Sequence, residues 1–244
     1  MRTIKLTIAY DGTEFVGWQR QASGVSVQGA IEDVLAQIEG APVTLHGAGR
    51  TDSGVHALAQ TASARLTASV DDERLARALN AHLPGAIRVT TVTTVPDDFH
   101  ARFSAIGKVY EYRIWNGPAI PPFIRLYAWH IPEALDLDAM RAGSPAIIGE
   151  HDFAGFRSAR GVNRSTVRRI TRTDWRRAGQ LLVFEIAGTG FLRHMVRSLV
   201  GTLVEIGRGQ RAPAEMGELL AEPDRSAAGR TAPALGLFLV KVEY

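Results

Sequence analysis

The sequence contains no cysteine, which excludes disulfides, thiolate nucleophiles, cysteine-ligated zinc and iron–sulfur clusters together. Lysine is nearly as scarce: of 28 basic residues only Lys5, Lys108 and Lys241 are lysines, and the rest are arginines. No apolar run approaches the roughly 20 residues needed to cross a bilayer. The opening MRTIKLTIAY passes directly into strand-like alternation rather than into the apolar centre of a secretory signal. A soluble, cytoplasmic protein is expected. Acidic charge is sparse from Arg157 to Arg177, where Asp174 is the sole acid among Arg157, Arg160, Arg164, Arg168, Arg169, Arg172, Arg176 and Arg177.

What is present describes a globular chain: 244 residues, 45% hydrophobic and 22% charged, enough for one large core or two smaller ones. The net charge of +3 matters less than the arginine placement. A solvated face and a phosphate-binding surface both fit such a cluster, since guanidinium forks match phosphate oxygens bidentately.

Thr3 to Tyr10 alternates with Ile4, Leu6 and Ile8 on one face, which predicts a half-buried strand. Ser26 is placed to cap a helix whose stripe is Val27, Ala30, Ile31, Val34, Leu35 and Ile38. Pro42 to His46 reads as a strand entering a glycine-rich turn, and Gln60 to Leu66 as its return. Ser69 with Asp72 resembles a capping box for a helix through about Ala81. Strands follow at Ile87 to Val95 and Lys108 to Trp115, the latter with Tyr110, Tyr112 and Ile114 on one face. Leu137 to Ile148 is weakly helical, Arg168 to Trp175 and Gln180 to Ala187 form a hairpin, Phe191 to Ile206 is a buried helix, and Gly236 to Glu243 is a closing strand. The order strand-helix-strand-strand-helix-strand favours an α+β fold with a mainly antiparallel sheet and helices on one face. Two such lobes are expected, residues 1–105 and 106–244, with an active cleft between them.

The chemistry concentrates in GAGRTDSGVHA, Gly47 to Ala57. A glycine-rich Asx turn accounts for an isolated Asp-Ser-Gly. The segment fails as a phosphate loop because no Gly-Lys-Ser/Thr follows the spacer. An aspartic protease needs a second Asp-Ser/Thr-Gly, which is absent, and Ser53 lacks the Gly-x-Ser-x-Gly setting of a hydrolase elbow. What remains is a lone carboxylate, Asp52, held ionised by a cation, either Arg50 two residues away or Arg197 on the C-terminal helix. His56, His100, His151 and His194 show no His-x-x-x-His spacing, so no metal is expected.

GAGRTDSGVHA resembles the catalytic signature of the TruA family of tRNA pseudouridine synthases. The resemblance continues, in family order, through YDGTEFVGWQRQ at Tyr10 to Gln21, NAHLPGAI at Asn80 to Ile87 and VPDDFHARFSA at Val95 to Ala105. KVYEYRIWN at Lys108 to Asn116 and FLRHMVRSLVG at Phe191 to Gly201 complete it. It implies the pseudouridine synthase fold, Asp52 as nucleophile, Arg197 as its partner, Arg50 as the residue that helps displace the target nucleotide, and Tyr110 as the substrate-contacting aromatic. It also implies anticodon-arm uridines of tRNA (positions 38 to 40) as substrate, a homodimer, and no cofactor. Arg164, Arg168 and Arg169 become the candidates for tRNA contact. Two other classes remain to be separated: a noncatalytic tRNA-binding module has no use for Asp52, and a lone-aspartate hydrolase has none for the basic cluster.

Overall fold

A computed structural model describes residues 1–158 and 165–244. Along the chain run β1 (Arg2–Tyr10), α1 (Val27–Glu39), β2 (His46–Gly47), β3 (His56–Leu66), α2 (Asp72–His82), β4 (Ile87–Val95) and β5 (Gly107–Asn116). There follow β6 (Trp129–Ile131), α3 (Leu137–Gly143), β7 (Gly149–Asp152), β8 (Val167–Ala178), β9 (Leu181–Gly188), α4 (Met195–Gly207), α5 (Glu215–Ala221) and β10 (Leu237–Glu243). The class is α+β, with mostly antiparallel strand pairs. Two compact units form: Met1–Ile106 joined by Phe238–Tyr244, and Gly107–Leu237. The closing strand therefore groups with the first unit, although it follows the second in sequence. No helix among the described residues is long and apolar enough to cross a membrane.

In the first unit β1 lies between β3 and β4, antiparallel to both. Its alternation works as the sequence implies, with Ile4, Leu6 and Ile8 fully buried. β2 adds to β3 antiparallel, and β10 joins β3 in parallel through Phe238 opposite His56 and Leu239 opposite Ala57. Helix α1 is capped by Ser26, whose hydroxyl accepts from Gly29 N at 3.1 Å. Helix α2 begins later than expected. Its cap is Asp71, not Ser69, accepting from Arg74 N at 2.8 Å, while the Asp72 carboxylate turns to Arg2 and Thr94. The strand expected at Pro42 to His46 shrinks to His46–Gly47. Side chains of α1 take the ladder groups it would have used: Glu32 accepts from Leu45 N at 3.0 Å, and Gln28 donates to Leu45 O at 3.0 Å.

In the second unit the strand order is β5-β9-β8-β7, with β6 parallel to β5. A two-residue connection, Gly179–Gln180, joins β8 to β9, and Gly179 supplies the positive φ (62°) such a turn requires. Tyr112 and Ile114 of β5 and Phe184 and Ile186 of β9 are fully buried, as are Leu199, Val200, Leu203 and Val204 of α4. Helix α3 stops at Gly143, and Pro145 carries a short 3-10 turn to Ile147 in place of the longer helix that the sequence suggests. Helix α4 starts at Met195 rather than Phe191, because His194 adopts a left-handed φ of 67° and breaks the helical run.

Candidate active site

Asp52 is half-buried and opens a tight turn: its carbonyl accepts from Val55 N at 3.2 Å, and Gly54 occupies φ +75° at the turn's third position. The residues before it are pinned from several directions. Gln60 Nε2 donates to Gly49 O at 2.9 Å, Ala48 N to Thr61 O at 2.8 Å, and Trp18 N to Thr51 O at 3.1 Å. Tyr10 Oη and Thr51 Oγ1 share a buried hydrogen bond of 2.7 Å. After the aspartate, Ser53 Oγ donates to Phe15 O at 3.1 Å. Tyr10, Thr51 and Gln60 thus form a buried polar clamp on the backbone either side of Arg50. Burial pushes the Tyr10 hydroxyl well above its ordinary pKa, against the opposing hydrogen bonds of Thr51 and Gln60, so it stays neutral.

The loop Tyr10 to Gln21 acts as the backing of this turn. A Cβ on Gly17, which holds φ +108°, would stand 2.7 Å from Thr51 O, so only glycine lets the two backbones meet. His56, just past the turn, is 1% exposed and stacks on Phe238 with ring centroids 4.6 Å apart. Its Nδ1 lies 3.0 Å from Gly12 N and 3.1 Å from Asp11 Oδ1. One nitrogen cannot accept from the first and donate to the second. The Gly12 N–H is a fixed donor, so Nδ1 carries no proton, and Asp11 is satisfied instead by Thr13 N at 3.0 Å and the Thr13 hydroxyl.

The other candidates divide between the two units. Arg50 is exposed, and its side chain bonds to no described residue. Tyr110 is 7% exposed on β5, where its ring meets Phe191 edge-on with centroids 5.0 Å apart. Arg197 is half-buried in the first turn of α4 and donates from Nε to Ala232 O at 2.7 Å. Tyr112, next along the inner face, donates to Pro233 O at 2.7 Å.

The arginine cluster is less basic in space than in sequence. Glu185 of β9, the strand next to β8, and Glu111 of β5, one strand further, pair with its arginines: Arg176 reaches Glu111 at 2.5 Å, and Arg172 reaches Glu185 at 2.5 Å. Counting acids along the segment finds Asp174 alone and misses both. Arg168 turns its guanidinium onto the Ser165 and Val167 carbonyls, and burial lowers its pKa; Arg169 is exposed. Arg160 and Arg164 lie outside the described residues. Sequence patterning did not single out Tyr10 and Gln60, whose one signal was a polar side chain at an inward strand position.

A family model described as tRNA pseudouridine synthase matches residues 6–104 and 145–244. The tRNA pseudouridine synthase A of Syntrophotalea carbinolica is 44% identical over 244 residues, covering 100% of this chain and 97% of its own. That of Solidesulfovibrio magneticus is 46% identical over 252 residues, covering 100% and 92%. That of Pelobacter propionicus is 43% identical, with both chains covered in full.

Proposed function

Because this chain belongs to the tRNA pseudouridine synthase family, we propose that it isomerises uridine to pseudouridine in the anticodon arm of tRNA, with Asp52 as nucleophile. The observation that carries this reading is the clamp. Gln60 and Trp18 hold the backbone immediately before Asp52 at Gly49 O and Thr51 O, and Tyr10 holds the Thr51 hydroxyl, an investment in position that a surface Asx turn does not need.

The reaction breaks the bond between ribose C1′ and uracil N1 and forms one between C1′ and C5, releasing the C5 proton. N1 takes up a proton from water in exchange for the one released from C5, and no electrons come from outside, so the chemistry calls for no cofactor. A carboxylate beside the sugar serves either by attacking C1′ or by removing the neighbouring ribose proton. The detached uracil must be retained against an aromatic wall, the role proposed for Tyr110. Arg197 is the cation that the family resemblance assigns to keeping the carboxylate ionised. A paired base must first leave its stack, and the exposed Arg50, two residues from Asp52, suits that work. Arg169 suits phosphate contact, with Arg168 and Arg164 as its neighbours in sequence. A homodimer working in the cytoplasm completes the reading, and sedimentation of the purified chain tests its stoichiometry.

The deciding experiment is tritium release from tRNA labelled at uracil C5. The wild-type chain is expected to release it, and Asp52→Asn to lose about 10⁴- to 10⁶-fold in rate while keeping its melting temperature and tRNA affinity. A variant within tenfold of wild type overturns Asp52 as nucleophile. RNA binding without any release overturns the synthase reading.

A further inference from the structure

Residues 96–106 connect β4 to β5 as a loop on the first unit, and the loop presents an array of rings. His46 and His100 meet with centroids 4.8 Å apart and an interplanar angle of 32°. His100 and Phe103 continue the array at 4.4 Å and 37°, and the Arg102 guanidinium lies 5.7 Å from the centre of the Phe103 ring. Phe103 is 77% exposed, and His46 is exposed as well.

The loop does not need Phe103 to stay in place. Ala101, fully buried, donates its N–H to Ser63 Oγ at 3.0 Å. Phe99 packs on Tyr244 with centroids 5.0 Å apart, and Tyr244 Oη donates to Ala101 O at 2.8 Å. Nor is the array loose. His100 N donates to Ser104 Oγ at 3.1 Å, Ser104 N returns to His100 O at 2.9 Å, and His100 Nδ1 accepts from Arg102 N at 3.1 Å. That last bond fixes the ring's orientation and its tautomer, with the proton on Nε2. An apolar ring is thus held in water by a fixed scaffold, beside a cation, with little among the described residues covering it.

We propose that Phe103, backed by His100 and His46 and flanked by Arg102, is a stacking platform for one unpaired base of the RNA substrate, outside the reacting nucleotide. Every base offers a π-face, and a guanidinium beside the ring serves the adjoining phosphate. The array is also well placed for this role, because β2, which carries His46, runs on through Gly49 and Arg50 to Asp52. That stretch spans at most about 20 Å of extended chain, so the platform and the proposed nucleophile lie within reach of a single RNA hairpin. The inference rests on the chain acting on tRNA.

The test uses the full chain and an anticodon stem-loop RNA, with binding followed across salt concentrations beside tritium release. Phe103→Ala is expected to weaken binding about 5- to 150-fold, the range for loss of one stacked base. The salt slope should be unchanged, since no phosphate contact is removed. Phe103→Trp is expected to bind within about threefold of wild type. Phe103→Leu, which keeps apolar bulk without a π-face, should resemble Ala. Unchanged binding in Phe103→Ala overturns the proposal, and so does full binding by Phe103→Leu, which would make the ring mere packing. A wild-type chain that binds RNA in a Phe103-dependent way but releases no tritium refutes the synthase reading and leaves the platform standing. Normal tritium release and normal binding in all three variants overturn the platform and leave the synthase reading standing.

Discussion

Tyr10→Phe removes one oxygen from the clamp beside Asp52 and leaves the fold around it filled. The lost bond, 2.7 Å long, joins two side chains that are 4% and 8% exposed, so Thr51 Oγ1 is stranded without water to replace its partner. Stranding a buried hydroxyl costs about 1–3 kcal/mol. In a chain of this length that lowers Tm by roughly 2–12 °C, at about 2–4 °C per kcal/mol. Activity is the sharper readout, because a displacement of about 1 Å at a catalytic group costs on the order of 10²-fold. Single-turnover tritium release should therefore fall by tens of fold in kcat, with KM for tRNA unchanged, since neither hydroxyl faces the RNA in this reading. Thr51→Val should act similarly. The double variant should lose no more kcat than either single one, and it should recover part of the stability because no orphan oxygen remains. The Tyr10 pKa lies far above neutrality, so the defect should be constant from about pH 6 to 9. A Tyr10→Phe kcat within twofold of wild type, or single losses that multiply in the double variant, would show that this hydrogen bond does not position Asp52.

Tyr110→Phe should keep most single-turnover activity if the ring only stacks, while Tyr110→Leu loses roughly 1–3 kcal/mol; normal rates for both return Tyr110 to a packing role against Phe191. Arg169→Ala is expected to lower the log-log salt slope of tRNA binding by about 0.7–0.9 if it holds one phosphate. Arg172→Ala and Arg176→Ala, already paired with Glu185 and Glu111, should leave the slope unchanged. Burial by itself raises the Asp72 carboxyl, but hydrogen bonds from Thr94 and Arg2 outweigh it and hold the pKa below its ordinary 3.8. The stability it contributes is full above that value and is lost as pH falls through the lower folded pKa. Acid titration of Asp72→Asn should accordingly show a shallower loss of stability below about pH 4 than wild type, and superimposable curves would refute it.

How much of this was legible in the sequence depends on how local the cause is. The alternation of β1 and the Ser26 cap are decided by neighbours a few residues apart, and both appear as read. Leu45 is bound by Glu32 and Gln28, more than ten residues upstream, and no period in the strand itself betrays that. β6 and β7, three and four residues long, are too short to show alternation, and the seven-residue α5 too short to show a stripe. Asp52 stood out through its motif. The clamp did not, since Tyr10 and Gln60 meet the turn only after β1 and β3 have paired. The neutralised arginines were hidden for the same reason: Glu111 is 65 residues from Arg176, and Glu185, on the returning strand of the hairpin, comes alongside only when β8 and β9 pair.

The placement of Phe238–Tyr244 with the first unit has a consequence for biosynthesis. Phe238 supplies the ring on which His56 rests, and His56 is four residues past Asp52. At about 5–20 residues per second, the ribosome takes roughly 10–35 s to travel from the end of β3 to the start of β10, and until then the unit that holds Asp52 lacks its closing strand. A polypeptide interrupted before β10 would lack the ring on which His56 rests while its second unit is already made. Completion of the unit that carries Asp52 is thereby deferred until the unit between its two pieces has been made.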